Sequence, residues 1–211
     1  MKKKGILWMT AFILWTMCIQ MVDVQAIGQN GTDVGFATLN MWFHKLTGVH
    51  MSLYHITDWL GLVPVGVCMI FGCLGLGQWI KRKSLFKVDR DLILLGFYYI
   101  IVIWGYLIFE MVPINYRPVL INGFMEASYP SSTTLLVLSV MLAFAFQMNR
   151  RLKNDKLKQI LSILTNLFML FMVAGRMISG VHWLTDIVGS VMFSIGLFNL
   201  YQACVLKNER A

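Results

Sequence analysis

The sequence predicts an all-α polytopic membrane protein: a six-transmembrane-helix bundle with both termini cytoplasmic. Three observations carry this reading. Hydrophobic residues make up 58% of the 211-residue chain and charged residues only 13%, against about 45–50% and about 25% in ordinary globular domains. Six runs hold no Asp, Glu, Lys or Arg: residues 5–22, 59–80, 92–109, 127–149, 159–175 and 187–206. Each is close to the ~20 residues that a spanning helix needs. The third observation is where the charge lies. All but three of the 18 basic residues fall before the first run, between the second and third, between the fourth and fifth, or after the last. Lys2, Lys81, Arg90, Arg150, Lys158 and Arg210 mark those four clusters. The positive-inside rule makes that side cytoplasmic. A soluble chain of this size could not hide six such runs at once. The length fits one domain, a single membrane-embedded unit over residues 1–211.

The net charge of +8 is therefore a topology signal, with some attraction to anionic lipid head groups, and not a nucleic-acid footprint. Only Lys45, Arg117 and Arg176 remain for the outer side. Two of them sit at the outer mouths of helices, where orientation does not need them.

The first run follows Lys2, Lys3 and Lys4 and precedes Val24-Gln25-Ala26, which also fits a cleavable signal peptide. Its apolar stretch is longer than most signal cores, which favours a retained span. Cleavage would leave every later loop on its own face. In the outer segment 23–58, Phe36, Leu39, Trp42, Phe43 and Leu46 approximate helical spacing. That predicts a helix lying in the interface, with an ordinary loop as the alternative. His44, His50 and His55 share this segment, but their spacing suits no standard metal motif. No metal and no cofactor is expected. Cys18, Cys68, Cys73 and Cys204 lie in apolar runs and read as small buried hydrophobes. Gly72, Gly75, Gly77, Gly189 and Gly196 predict close helix packing. The inner connections 81–91 and 150–158 read as short, charged and solvated.

Two outer segments carry the chemistry. In the first, Pro130 followed by Ser131, Ser132 and Thr133 is a helix-start signal. A helix beginning there points free backbone N–H groups at the outer interface, a ready site for an anion. In the second, Arg176, His182 and Asp186 lie between two apolar runs. A charge inside a bilayer costs at least a few kcal/mol, so such residues are usually functional. His182 and Asp186 would share a face if that stretch were helical. Arg suits planar, bidentate recognition of phosphate. One membrane face thus presents two guanidiniums, a helix N-terminus and a His–Asp pair.

These residues resemble the type 2 phosphatidic acid phosphatase family, whose phosphate site is shared with vanadium haloperoxidases. Arg117-Pro118 matches the end of its first motif, K-x6-R-P. Pro130-Ser131 matches the start of the second, P-S-G-H. Arg176, His182 and Asp186 match the third, S-R-x5-H-x3-D, at full spacing. The resemblance implies His182 as nucleophile through a phosphohistidine, Asp186 as its orienter, and Arg117, Arg176, Ser131 and Ser132 as the phosphate cradle. It implies no metal.

Four positions depart from the family pattern. Glu110 stands in place of the first-motif Lys and Thr133 in place of the second-motif His. Ser132 and Gly175 are milder changes. Losing the His removes the expected general acid, an aid worth about 10²–10⁴-fold. A lipid monoester expels an alkoxide and suffers from this; a lipid diphosphate expels a stable phosphate and suffers less. The expected substrate is a phosphorylated lipid, a prenyl or other diphosphate above phosphatidic acid. Glu126, Tyr129 or one of the three outer His residues could supply the proton. The alternative is a non-catalytic membrane protein that binds lipid phosphates and has lost the general acid. A small transporter is disfavoured, because no paired halves are visible and the unusual charges sit at one edge. The compact chain points to a bacterial plasma membrane, with the site on the extracytoplasmic face.

Overall fold

The computed structural model describes residues 1–207; Arg210, one of the basic residues used to assign sidedness, lies outside them. Eight α-helices form the chain: α1 (Lys2–Met21), α2 (Ala37–Thr47), α3 (Met51–Leu60), α4 (Leu62–Arg82), α5 (Arg90–Met111), α6 (Ser132–Arg151), α7 (Asp155–Ile178) and α8 (Leu184–Lys207). Six segments are long and apolar enough to cross a membrane: α1, the joined α3–α4 segment, and α5 to α8. The protein is an integral membrane protein with the expected six-span, all-helical architecture.

Helix α8 is the hub and packs on α1, α6, α5, α2 and α7. Its buried residues, from Thr185 through Ser190, Ser194 and Gly196 to Val205, face several directions. In lipid, apolar surface alone does not join helices, so close backbone approach and polar bonds must. Both are present. A Cβ on Gly196 would stand 2.8 Å from Met9 Sδ, and one on Gly5 2.8 Å from Leu200, so these glycines let α1 and α8 touch. Between α6 and α8, Ser139 Oγ donates to Ser194 Oγ at 3.2 Å and Ser190 Oγ donates to the Ser131 carbonyl at 3.0 Å.

The expected glycine packing is only half right. Gly189 abuts Tyr129 and Gly196 abuts Met9, but Gly72, Gly75 and Gly77 on α4 face open space. The inner connections are also less solvated than expected. Arg151 holds Asp91 at 2.6 Å and Asp89 at 3.5 Å, and Arg82 holds Asp89 at 2.8 Å. That cluster ties α4, α5 and α6 together. The chain start joins the chain end, with Met1 and Lys2 beside Leu206 and Lys207.

Of the two readings of segment 23–58, the helix is present, as α2. Trp42 and Leu46 are exposed on it, while Asn40 is buried and donates to the Gly35 carbonyl at 2.8 Å and to Thr185 Oγ1 at 3.0 Å. Helix α2 is thereby fastened to the start of α8.

Gly189→Ala is expected to push a Cβ to within 2.4 Å of Tyr129 Cε2. Overpacking of this kind costs about 1–3 kcal/mol. Unfolding free energy in a detergent titration checks it.

Candidate active site

The α7–α8 turn places the central residues. Arg176 lies in the last turn of α7, and Asp186 in the first turn of α8. Between them Gly180 takes a left-handed φ of +68°, where a Cβ would stand 1.9 Å from the Gly48 carbonyl oxygen. Only glycine fits there, both for conformation and for space. His182 follows the turn and precedes α8. The two residues therefore do not share a helix face, and the His182 Nδ1 to Asp186 Oδ2 distance is 3.9 Å.

Ser128 fills that gap. Its hydroxyl donates to Asp186 Oδ2 at 2.5 Å, and its carbonyl oxygen lies 3.1 Å from His182 Nδ1. The Ser128 hydroxyl is also 3.1 Å from Nδ1. A carbonyl can only accept, so Nδ1 carries the proton and Nε2 holds the free lone pair. Asp186 is held by further donors, Asn115 Nδ2 at 3.0 Å and the Trp183 backbone N–H at 2.9 Å. Burial pushes the His182 imidazole well below its ordinary value of 6.5, and the nearby Arg117 and Arg176 charges push the same way. The ring is neutral at neutral pH.

Both guanidiniums are buried and both lie over one ring. Arg176 Cζ is 4.8 Å and Arg117 Cζ 5.7 Å from the Tyr54 centroid. Arg176 Nη2 donates to Thr133 Oγ1 at 2.5 Å and to Asp58 Oδ1 at 3.3 Å. Its Nη1 donates to the Tyr54 carbonyl and to Thr57 Oγ1, each at 3.4 Å. Arg117 sits in a short hairpin-like segment, bridged at Tyr116–Ala127, and pairs with Glu126 at 3.0 Å. Four buried nitrogens remain without a partner: Arg117 Nε and Nη1, Arg176 Nε and His182 Nε2. Burying polar atoms unpaired is costly, which sets these four nitrogens apart from most other buried polar groups.

Ser131 caps α6 with its backbone, and its hydroxyl meets Thr134 Oγ1 at 3.0 Å, leaving the first-turn N–H groups uncapped by that side chain. Ser132 lines a cavity beside Thr133 and Asp58. Glu110 is exposed at the end of α5, and among the described residues no ion pair joins it to either guanidinium. His44 and His50 are engaged by the carbonyls of Gly180 and Thr47. Sequence reasoning missed Tyr54, Thr57, Asp58, Asn115 and Ser128. The last two flank motif residues at two or three positions, a signal too common to single them out. The α3 residues carry no motif.

The PAP2 superfamily profile matches residues 63–210. The chain belongs to the PAP2 superfamily. Its fold is similar to the crystal structure of a transmembrane PAP2-type phosphatidylglycerolphosphate phosphatase from Bacillus subtilis. The TM-score is 0.68 at 17% identity, covering 97% of this chain and 96% of that one. No curated protein matches the chain. The matched PAP2 region holds Arg117, Thr133, Arg176, His182 and Asp186 but begins after α3, so Tyr54, Thr57 and Asp58 lie outside it.

Ser128→Ala removes the hydroxyl between Asp186 and His182. An unsatisfied buried acceptor costs about 1–3 kcal/mol, so turnover on a lipid phosphate is expected to fall about tenfold to a hundredfold. Steady-state phosphate release from the purified variant checks this, with Ser128→Thr recovering part of the loss.

Proposed function

We propose that this PAP2 protein is an integral membrane lipid phosphatase that works at the extracytoplasmic face through a phosphohistidine on His182. One observation carries the reading. A neutral imidazole with a free Nε2 lone pair lies within the electrostatic reach of two buried guanidiniums that also keep unpartnered nitrogens. That is an oriented nucleophile beside a tetrahedral-anion cradle.

In the proposed reaction the phosphoryl oxygens take the free donors of Arg117 and Arg176 and the N–H groups at the start of α6. The Nε2 lone pair attacks phosphorus, and the bond to the leaving oxygen breaks with its electrons on that oxygen. The proton stays on Nδ1, donated to the Ser128 carbonyl, and Asp186 opposes the ring's new charge through Ser128. Water then cleaves the P–N bond. The structurally similar Bacillus protein is a phosphatidylglycerolphosphate phosphatase, and the shared fold supports the same class of chemistry here. The basic inner loops support an extracytoplasmic site in a bacterial plasma membrane. Residues 1–211 act as one membrane-embedded phosphatase domain.

Thr133 gives its hydroxyl oxygen to Arg176 and has no acid to offer. This favours leaving groups that depart unaided, so we assign a lipid diphosphate, such as a prenyl diphosphate, ahead of a monoester. The second reading, a lipid-phosphate binder without turnover, draws on the carboxylates already paired to Arg117 and Arg176. Purified protein given a prenyl diphosphate and phosphatidic acid separates these. The enzyme reading expects faster phosphate release from the diphosphate, abolished in His182→Asn with lipid binding retained. Release from neither substrate favours the binder.

The depressed imidazole also sets a pH expectation. An unshifted His loses its lone pair as pH falls through 6.5, whereas His182 keeps it. The kcat/KM profile should stay level across that pH and decline only at more acidic values.

A further inference from the structure

The second half of the proposed reaction needs a base. Water must attack phosphorus opposite Nε2, on the line by which the leaving group departed. In the family pattern the second-motif position supplies the group on that line. Here that position is Thr133, and its oxygen is occupied by Arg176 Nη2.

Asp58 shares that nitrogen. Its Oδ1 lies 3.3 Å from Arg176 Nη2, and its side chain is half exposed while Arg176 is buried. Asp58, Ser132 and Thr133 form the polar end of a cavity of about 300 Å³ between α3–α4, α5 and α6. Leu62, Val65 and Ile103 line its apolar part. Two of its lining residues, Asp58 and Thr133, bond Arg176, so the cavity sets groups attached to the phosphate cradle beside apolar walls, the pairing that a lipid leaving group needs. Water refilling the polar end after that group departs meets the Asp58 carboxylate. Four of the other candidates have partners elsewhere: Glu126 is turned to Arg117, the Tyr129 hydroxyl meets Thr16 Oγ1, and the ring nitrogens of His44 and His50 that bond do so to backbone carbonyls.

We infer that Asp58 is the general base for hydrolysis of the phosphohistidine, a catalytic residue carried by α3 outside the conserved motifs. The inference rests on the phosphohistidine reading above. When phosphate engages Arg176, the Asp58 carboxylate is released from that pair and accepts a hydrogen bond from the attacking water. The water oxygen forms the new P–O bond as its proton passes to Asp58 Oδ1. The P–Nε2 bond breaks with its electrons returning to Nε2, so His182 is again neutral. Inorganic phosphate leaves, and Asp58 loses its proton to solvent. An ionised carboxylate suits this base step and not the acid step, which fits a site that handles diphosphates.

The experiment uses the full-length protein in detergent with a prenyl diphosphate radiolabelled in its terminal phosphate. Asp58→Asn should still give one rapid burst of prenyl monophosphate and retain acid-labile label on the protein. Its steady phosphate release should fall about 10²–10⁴-fold, the span of a lost acid–base catalyst. Asp58→Glu should restore part of that release. The retained label shows that the variant is folded and binds substrate. Unchanged phosphate release in Asp58→Asn overturns the inference. So does an equal loss of labelling and release, which would mean that Asp58 only steadies Arg176. Full turnover by His182→Asn would overturn the phosphohistidine reading itself, and with it this one; the two failures are told apart by whether His182→Asn keeps its phosphate release.

Discussion

The rest of the site's end of the bundle is arranged around two buried positive charges held over one tyrosine ring. Taking a guanidinium out of water costs several kcal/mol unless it is paired and hydrogen-bonded. Arg176 is 1% exposed and Arg117 8%. Tyr54, Thr57, Asp58 and Thr133 offset part of the cost for Arg176, and Glu126 for Arg117. The compensation stops short, since three guanidinium nitrogens stay unmatched. Like charges brought together and left partly unsatisfied are stable only if a packed scaffold holds them. The α3 helix, the 115–128 segment and the α7–α8 turn are that scaffold.

The same logic explains the histidine. Beside two positive charges, and away from water, an imidazole has no reason to take up a proton. Its orientation cannot come from direct contact with Asp186, because the turn after Gly180 sets the two apart. Ser128 converts that separation into a relay, passing the carboxylate's influence through a hydroxyl while its own carbonyl fixes the tautomer. One residue thereby serves two needs, and Asn115 and the Trp183 N–H keep the carboxylate from wandering.

Much of the fold was legible, for a reason specific to membranes. Unsatisfied backbone is forbidden in hydrocarbon, so uncharged runs of the right length must be helices. The runs beginning at Leu92, Gln159 and Ile187 lie inside α5, α7 and α8, and the run beginning at Gly5 passes the end of α1 by one residue. The run beginning at Trp59 understated its segment, because α3 carries His55 and Asp58 into the span and bends to α4 at Gly61. The run from Ala127 overstated its own, because residues 127–131 are loop and α6 begins at Ser132. In the site, Arg117, Arg176, His182 and Thr133 were legible from spacing. Ser128 and Asn115 were on the page but carried no distinguishing pattern. Asp58 was out of reach, since its partner lies 118 positions away and no local rule connects them. Gly72, Gly75 and Gly77 misled because glycine in a span marks permission for close approach, not its occurrence.

Helix α1 lies before the region matched by the PAP2 profile, yet it touches the catalytic end. Trp15 Nε1 donates to the Thr185 carbonyl at 3.1 Å, and Thr16 Oγ1 meets the Tyr129 hydroxyl at 2.7 Å. Thr185 adjoins Asp186, and Tyr129 adjoins Ser128. A peptidase trimming the chain after Ala26 would pull away a buttress that reaches within one residue of Asp186 and of Ser128, two of the relay's three members. Helix α1 thus serves as masonry for that relay.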